Sequence, residues 1–267
     1  MIATKAGDAP ATQPIIQTQG LCKSFSHQGQ QHHVLKNIDL DLRQGDFTVI
    51  MGSSGAGKST LLYALSGMDL PTLGDVTFAG QDLKQLNESQ LAIFRRHHCG
   101  FVFQQIYLLE TMTLLDNALA AGRLVQADRA DVAARARDLL GRVGLNEAVQ
   151  GKFPAQVSGG EAGRAGIVRA LMNRPSVVFA DEPTGNLDQS SGQAVLDLMS
   201  AANREGQTVL MVTHDLRSAL RGNRILFLRD GSITGDLALP GYGADDTDAA
   251  RLARENTLRS FLVEMGW

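Results

Sequence analysis

The sequence predicts an α/β fold: a short buried strand enters a helix through a glycine-rich loop, antiparallel strands precede it, and a helical insertion follows. Three observations carry this. Asp46 to Met51 is a short apolar run with β-branched Thr48, Val49 and Ile50, and Ser59 to Leu65 has helical patterning, with glycines between the two. Further apolar runs at 100–105, 176–180 and 208–212 read as buried strands, and the middle one delivers two adjacent acids. From about Leu114 to Val149 the pattern is helical and rich in alanine, arginine and aspartate.

Taken in order, residues 1 to 14 are polar and without the apolar stretch of a signal peptide, so a disordered leader is expected. Ile15 to Leu21 is the first strand. Phe25 lies about thirty residues before the glycine-rich loop, where an aromatic ring can stack on a purine for ~1–3 kcal/mol; core packing is an equal account of Phe25 alone. Ser26 to His33 reads as a polar loop whose His27, His32 and His33 are solvated, since no cysteine or carboxylate constellation accompanies them. Val34 to Leu42 alternates apolar and polar residues, as a half-buried antiparallel strand does.

Gly52-Ser53-Ser54-Gly55-Ala56-Gly57-Lys58-Ser59-Thr60 matches the phosphate loop G-x-x-x-x-G-K-[ST] in its required strand-to-helix setting. Small residues let backbone amides curl around a β-phosphate, the helix start adds partial positive charge and Lys58 adds a point charge. Ser59 is placed to put its hydroxyl on Mg²⁺. Gln104, at the end of the 100–105 strand, is placed to hold Mg²⁺ or an attacking water.

Beyond Pro154, Val157-Ser158-Gly159-Gly160-Glu161 opens a helix running to about Met172. Ser158 to Gly160 is a second place where amides and a helix start meet an anion. One nucleotide does not need two cradles, so the second should serve another. Asp181 and Glu182 end a buried strand, at the sheet edge where open α/β folds bind ligands; Asp181 suits the Mg²⁺ shell and Glu182 the polarising of a water. Thr184 to Asp188 leads into a helix over 193–202, and the 208–212 strand ends at His214, where an imidazole can reach a γ-phosphate. After a polar linker from 241, Ala249, Leu252, Ala253, Leu258, Phe261, Leu262 and Met265 recur at helical spacing, a stripe expected to pack on its own domain or on a paired subunit, with docking on a membrane partner or lipid as the alternative.

With 267 residues, 43% hydrophobic, the chain can build a full core, and a net charge of −3 gives no basic field for direct nucleic-acid binding. The two cysteines, Cys22 and Cys99, form no disulfide framework, as suits a reducing compartment. No run of about eighteen apolar residues appears, so the chain is expected to be cytosolic or attached to a membrane through a partner.

Gly52 to Thr60, Gln104, Ser158-Gly159-Gly160-Glu161, Asp181-Glu182, Asp188 and His214 occur in the order and spacing of the ATP-binding subunits of ABC transporters, which the chain resembles over residues 15 to 236. The resemblance implies a P-loop NTPase of ABC type: a RecA-like mixed sheet, an N-terminal antiparallel β subdomain, and a helical subdomain inserted at about 86–172, all within a domain over 15–240. It implies ATP and Mg²⁺ as ligands. Phe25 resembles the adenine-stacking aromatic, Lys58 and Ser59 the Walker A ligands, Gln104 the Q-loop glutamine, Asp181 and Glu182 the Walker B aspartate and catalytic glutamate. Ser158 to Glu161 resembles the signature motif, Asp188 the D-loop aspartate, and His214 the switch histidine. In that family two subunits pack head to tail, each signature capping the other's γ-phosphate.

The form Ser-Gly-Gly-Glu and the run Asp181 to Asp188 are similar to ATPases paired with MacB-, LolD- and FtsX-like permeases, and the C-terminal tail to the BceA-like branch. This implies a peripheral subunit on the cytoplasmic face of the inner or plasma membrane, driving export or extraction of a peptide, lipid-linked or lipoprotein substrate. A non-transporting, FtsE-like regulator is the alternative. A DNA-repair ATPase of the same type would carry a long coiled coil before the signature, where this chain has about a hundred residues and no heptads. Ala162 and Gly163 depart from the usual polar residues, and Gly163 with Gly166 is expected to lower helix propensity by up to ~1 kcal/mol each.

Overall fold

The computed structural model describes residues 14–27, 30–243 and 246–267. The leader expected over 1–14 lies outside these residues except for Pro14, which opens the first strand. β1 (Pro14–His27) and β2 (Gln30–Arg43) form a long antiparallel hairpin, paired from Pro14↔Arg43 to His27↔Gln30. The polar loop expected over 26–33 is therefore mostly strand. Phe25 pairs with His32 and Ser24 with His33, and polar side chains suit a ladder that stands in water there.

β3 (Phe47–Met51) is buried throughout and runs through the glycine-rich loop into α1 (Lys58–Leu65). β4 (Leu73–Phe78) and β5 (Gln81–Asp82) then return to the hairpin, giving a sheet ordered β2-β1-β4-β5. α2 (Glu88–His98) starts in a capping box between Asn87 and Gln90. β6 (Cys99–Phe103) stops one residue before Gln104, so Gln104 and Gln105 lie beyond the strand rather than in it.

The helical unit comprises α3 (Leu114–Gly122), α4 (Arg129–Arg142), α5 (Glu147–Gln150) and α6 (Gly159–Leu171). Each begins on a side chain that accepts from the helix's free amides, Thr113, Asp128, Asn146 and Ser158, worth ~1 kcal/mol apiece. Leu108, Leu114, Ala118, Val132, Leu140 and Val168 form its core. The unit was expected from residue 86, but Leu91 and Phe94 of α2 pack with Phe78 in the core under the first sheet, so the helical core begins only at Leu108. α6 faces both ways: Ala165 and Val168 enter the helical core, Ile167 and Ala170 the core under the main sheet.

The rest of the chain alternates: β7 (Val177–Asp181), α7 (Gln189–Arg204), β8 (Thr208–Val212), α8 (Leu216–Ala219), β9 (Arg224–Arg229), β10 (Ser232–Ala238) and α9 (Asp248–Glu264). The main sheet runs β10-β9-β3-β8-β7-β6, parallel except for β10 at its edge. Successive strand residues serve opposite layers. Val177, Phe179, Leu210 and Val212 face the layer of α1 and the first sheet, while Val178, Ala180, Val209 and Met211 face that of α6, α7 and α9. Both faces are covered, which is why these strands are apolar without alternation.

α9 packs the second half of its stripe on its own domain. Leu258, Phe261 and Leu262 are buried in the second layer, with Met265 packed beside them, and Gly235 of β10 lets Phe261 approach its backbone. Ala249, Leu252 and Ala253 stay exposed, and Arg254 turns inward instead because that part of the helix meets backbone carbonyls that need a donor.

Candidate functional site

The glycine-rich loop is closed by backbone packing that a side chain would obstruct. At Gly52, with φ +156°, a Cβ would stand 2.2 Å from the carbonyl oxygen of Leu228. Gly57, at φ +99°, caps α1 in the left-handed region that glycine adopts freely. Ser53, Ser54 and Gly55 are exposed at the rim, Ala56 is buried, and Thr60 follows half-buried on α1. Lys58 folds back over the loop, its Nζ donating to the carbonyls of Gly52 at 2.8 Å and Ser53 at 2.9 Å. Burial lowers the Lys58 pKa, and the carboxylates of Glu182 and Asp181 oppose that shift.

Asp181 sits at the end of β7, 9% exposed, with both oxygens engaged. Ser59 Oγ donates to one at 2.8 Å and the Tyr63 hydroxyl to the other at 2.9 Å. Burial, then the bond to Asp181, pushes the Tyr63 pKa up to about 12. Ser59 and Asp181 together are hard oxygen donors, the set that suits Mg²⁺. A cleft of about 320 Å³ beside them is lined by Tyr63, Gln104, Tyr107, Asp181 and Asn186. Gln104 faces this cleft and exchanges hydrogen bonds with Asn186, Nε2 to Oδ1 at 3.4 Å and Asn186 Nδ2 to the Gln104 carbonyl at 3.1 Å.

Glu182 leaves the strand at φ +46°, a left-handed backbone that costs a residue with a side chain ~1–3 kcal/mol. Its amide still donates to Val212 O at 3.0 Å. Thr213 Oγ1 donates to Glu182 at 3.1 Å and His214 Nδ1 lies 2.8 Å from the other oxygen. Thr213 is fully buried while the His214 ring is 67% exposed, so one partner fixes the carboxylate and the other presents to solvent. The two adjacent acids thus engage separate partners, Asp181 with Ser59 and Tyr63, Glu182 with Thr213 and His214.

Phe25 is 45% exposed, with the Lys23 ammonium 5.2 Å above its ring, so core packing does not account for it. Ser158 caps α6: its Oγ accepts from the Glu161 amide at 3.2 Å, and its own amide donates to the Glu161 carboxylate at 2.8 Å. Those Ser158 bonds hold the Glu161 pKa below the usual carboxylate range. Asp188 caps α7, accepting from Ser190 and Ser191, which lower its pKa likewise. Gly160 faces α7, where a Cβ would meet Ser191 Oγ at 2.3 Å, while Gly159 is exposed with Leu187, in the loop before α7, as its neighbour. Gly163 and Gly166 are also close-packed, against Val195 and Ile106, so these glycines pack the signature helix rather than merely weaken it.

One chain thus assembles two groups and keeps a third elsewhere. Lys58, Ser59 and Asp181 form the first, with Gln104 on the adjoining cleft, and Glu182, Thr213 and His214 the second. In the third, Ser158 and Glu161 bond each other and Gly160 packs on Ser191 of α7. Tyr63 and Thr213 escaped the sequence reading. Tyr63 lies four residues after Ser59, on the same helix face, which is the signal for it; nothing local marks Thr213. Among the described residues no helix is long and apolar enough to cross a membrane, and no three His, Cys, Asp or Glu side chains cluster as a metal site.

The ABC transporter family profile matches residues 35–185. The ABC transporter ATP-binding protein MJ1508 of Methanocaldococcus jannaschii is 42% identical over 82% of this chain and 97% of its own length. The macrolide export ATP-binding/permease proteins MacB of Hahella chejuensis and MacB 1/2 of Paracoccus denitrificans are 39% and 42% identical over 92% and 87% of the chain, which spans 38% and 35% of their lengths. Among solved structures, the dimeric ATP-binding cassette MJ0796 with ADP and Pi superposes at a TM-score of 0.78 with 34% identity, covering 85% of this chain and all of that one. A phosphate loop gripping Asp181 through Ser59, beside a glutamate held by a histidine, on this sheet and with these relatives, makes the chain an ATPase cassette of the ABC transporter family.

Proposed function

We propose that two copies of this chain close head to tail over two ATP molecules and drive a MacB- or FtsX-like membrane permease from its cytoplasmic face. The observation that carries the reading is that Ser158 and Gly159 stand exposed at the start of α6, where Gly160 packs on Ser191 of α7, while Ser59 and Asp181 pair between the start of α1 and the end of β7 beside Lys58. A cap from a second copy completes each half, and the dimeric MJ0796 cassettes support this.

On this reading the amides of Gly52 to Thr60 bind the phosphates and Lys58 exchanges its two carbonyl bonds for phosphate oxygens. Phe25 stacks on the adenine, and Asp188 sets the start of α7 beside the signature. Ser59, Asp181 and Gln104 hold Mg²⁺, which when bound neutralises phosphate charge. Glu182 accepts the proton of the attacking water; because His214 Nδ1 is taken by Glu182, its Nε2 is the nitrogen left for the γ-phosphate. Gln104 and the adjoining 106–109 segment, with exposed Tyr107 and Leu109, carry closure to the permease. The cargo we propose is a peptide, lipid-linked or lipoprotein substrate that is exported or extracted; the MacB relatives, named for macrolide export, support export as the direction.

Glu182→Gln is the test. Removal of a general base lowers turnover roughly 10²–10⁴-fold while leaving ATP binding intact. Turnover at the parent rate in that variant removes Glu182 from the mechanism. Cargo-stimulated ATPase in liposomes holding the permease supports transport; stimulation by the permease alone points to regulation.

A further inference from the structure

We infer that Arg254, on the C-terminal helix α9, is a positioning residue for hydrolysis: it fixes the segment 213–222 that presents His214 to Glu182. The inference rests on the roles of His214 and Glu182 proposed above.

The segment joins β8 to β9, and its first half holds the catalytic carboxylate. Thr213 and His214 both bond Glu182, and Ser218 Oγ lies 3.3 Å from Thr184 Oγ1, in the loop that follows Glu182. Its middle is α8, a single turn of four residues. So short a helix does not hold itself; Ala219 is seated in the core with Leu216 and Leu220 packed against it, and side chains grip its two ends.

The leading end is gripped by the Asp215 cap on Ser218, the trailing end by Arg254. Arg254 Nε donates to the Leu220 carbonyl at 2.7 Å, one terminal nitrogen donates to the Gly222 carbonyl, and the other donates to Pro240 O at 2.6 Å. One planar fork therefore binds two carbonyls of the segment and one of the chain leading to α9, a geometry that lysine cannot reproduce. The side chain is 8% exposed.

A second guanidinium braces the same place. Arg221, 4% exposed, pairs with Asp197 of α7 at 2.7 Å and lies 4.3 Å from the Tyr242 ring, whose centroid is 5.7 Å from Arg254. α7 is the helix capped by Asp188 and packed on Gly160. The position of His214 is thus tied through one buried cluster to α9 and to the helix beside the signature. Arg254 is a buried cation on a helix whose other buried residues are Leu258, Phe261 and Leu262, so at this position three backbone carbonyls take the place of an apolar contact.

A double-mutant cycle on the purified full chain, with ATP and Mg²⁺, tests this. Arg254→Met keeps the stem and removes the fork; kcat should fall roughly ten- to a hundredfold, as displacement of a catalytic group by about 1 Å does, with KM for ATP nearly unchanged. Leu258→Ala, which loosens α9 without touching those carbonyls, should leave kcat near the parent value at temperatures where it is folded. In a His214→Ala background Arg254→Met should lower kcat no further. An equal loss in that background, or an unchanged kcat in the parent background, overturns the inference. If Arg254→Met does not fold, Arg254→Lys decides the matter by the same two comparisons. Parent-like kcat in His214→Ala alone removes the proposed role of His214 and the inference with it, whereas loss in His214→Ala with none in Arg254→Met removes only the inference.

Discussion

Adding a methyl group to the signature helix sets two opposed effects against each other, and the structure says which wins at each glycine. Glycine to alanine inside a helix gains up to ~1 kcal/mol in propensity. At Gly141, near the end of α4, a Cβ would meet nothing within 4 Å, so Gly141→Ala should keep that gain. At Gly160 the new Cβ would stand 2.3 Å from Ser191 Oγ and 2.9 Å from Ser191 Cβ. Rotating the hydroxyl relieves the first contact but not the second, so α6 and α7 must part, and such overpacking costs ~1–3 kcal/mol. Gly163, with Val195 and Leu187 methyls at 3.2 and 3.3 Å, lies between the two. Urea unfolding followed by circular dichroism should rank Gly141→Ala above the parent, Gly163→Ala near it, and Gly160→Ala below Gly141→Ala by about 2 kcal/mol. Gly160→Ala as stable as Gly141→Ala would refute the reading of these glycines as packing contacts.

Tyr63→Phe removes a donor from a largely buried carboxylate, and without nucleotide it should destabilise the chain by ~1.5 kcal/mol, near the lower figure for bonds to charged groups; a urea midpoint equal to the parent's contradicts this. Burial pushes the Cys99 thiol far up, so maleimide at neutral pH should label Cys22, which is half-buried, well before Cys99; equal labelling of the folded chain contradicts the packing around Cys99. The Glu161 carboxyl is held low by Ser158, so its contribution is present above the ordinary glutamate pKa of ~4.3 and lost as pH falls through the lower folded value. The stability gap between the parent and Glu161→Gln should therefore be widest at neutral pH and close in acid; a gap that widens in acid contradicts the capping box.

Residues whose placement is written in adjacent positions were legible in the sequence: Gly52 to Thr60 between a strand and a helix, Ser158 to Glu161 at a helix start, and Asp181 with Glu182 at a strand end. So was the sheet, because strands covered on both faces are apolar without interruption. What stayed hidden depends on partners distant in sequence. Thr213 holds Glu182 across thirty-one positions, and Arg254 reaches Leu220 across thirty-four. On α9 the stripe meets its own domain only from Leu258 onward, because periodicity shows which face is apolar, not what that face meets. The hairpin at 26–33 misled because polarity marks exposure, and an exposed ladder is polar too.

The most direct measurement is the mass in solution, by sedimentation, of Glu182→Gln with and without ATP and Mg²⁺, beside the same protein carrying Ser158→Arg. The account predicts twice the mass of a single chain only when ATP is present and Ser158 is intact, with the single chain in every other case. A single chain that stays alone while holding ATP and Mg²⁺ with Ser158 unaltered would contradict it.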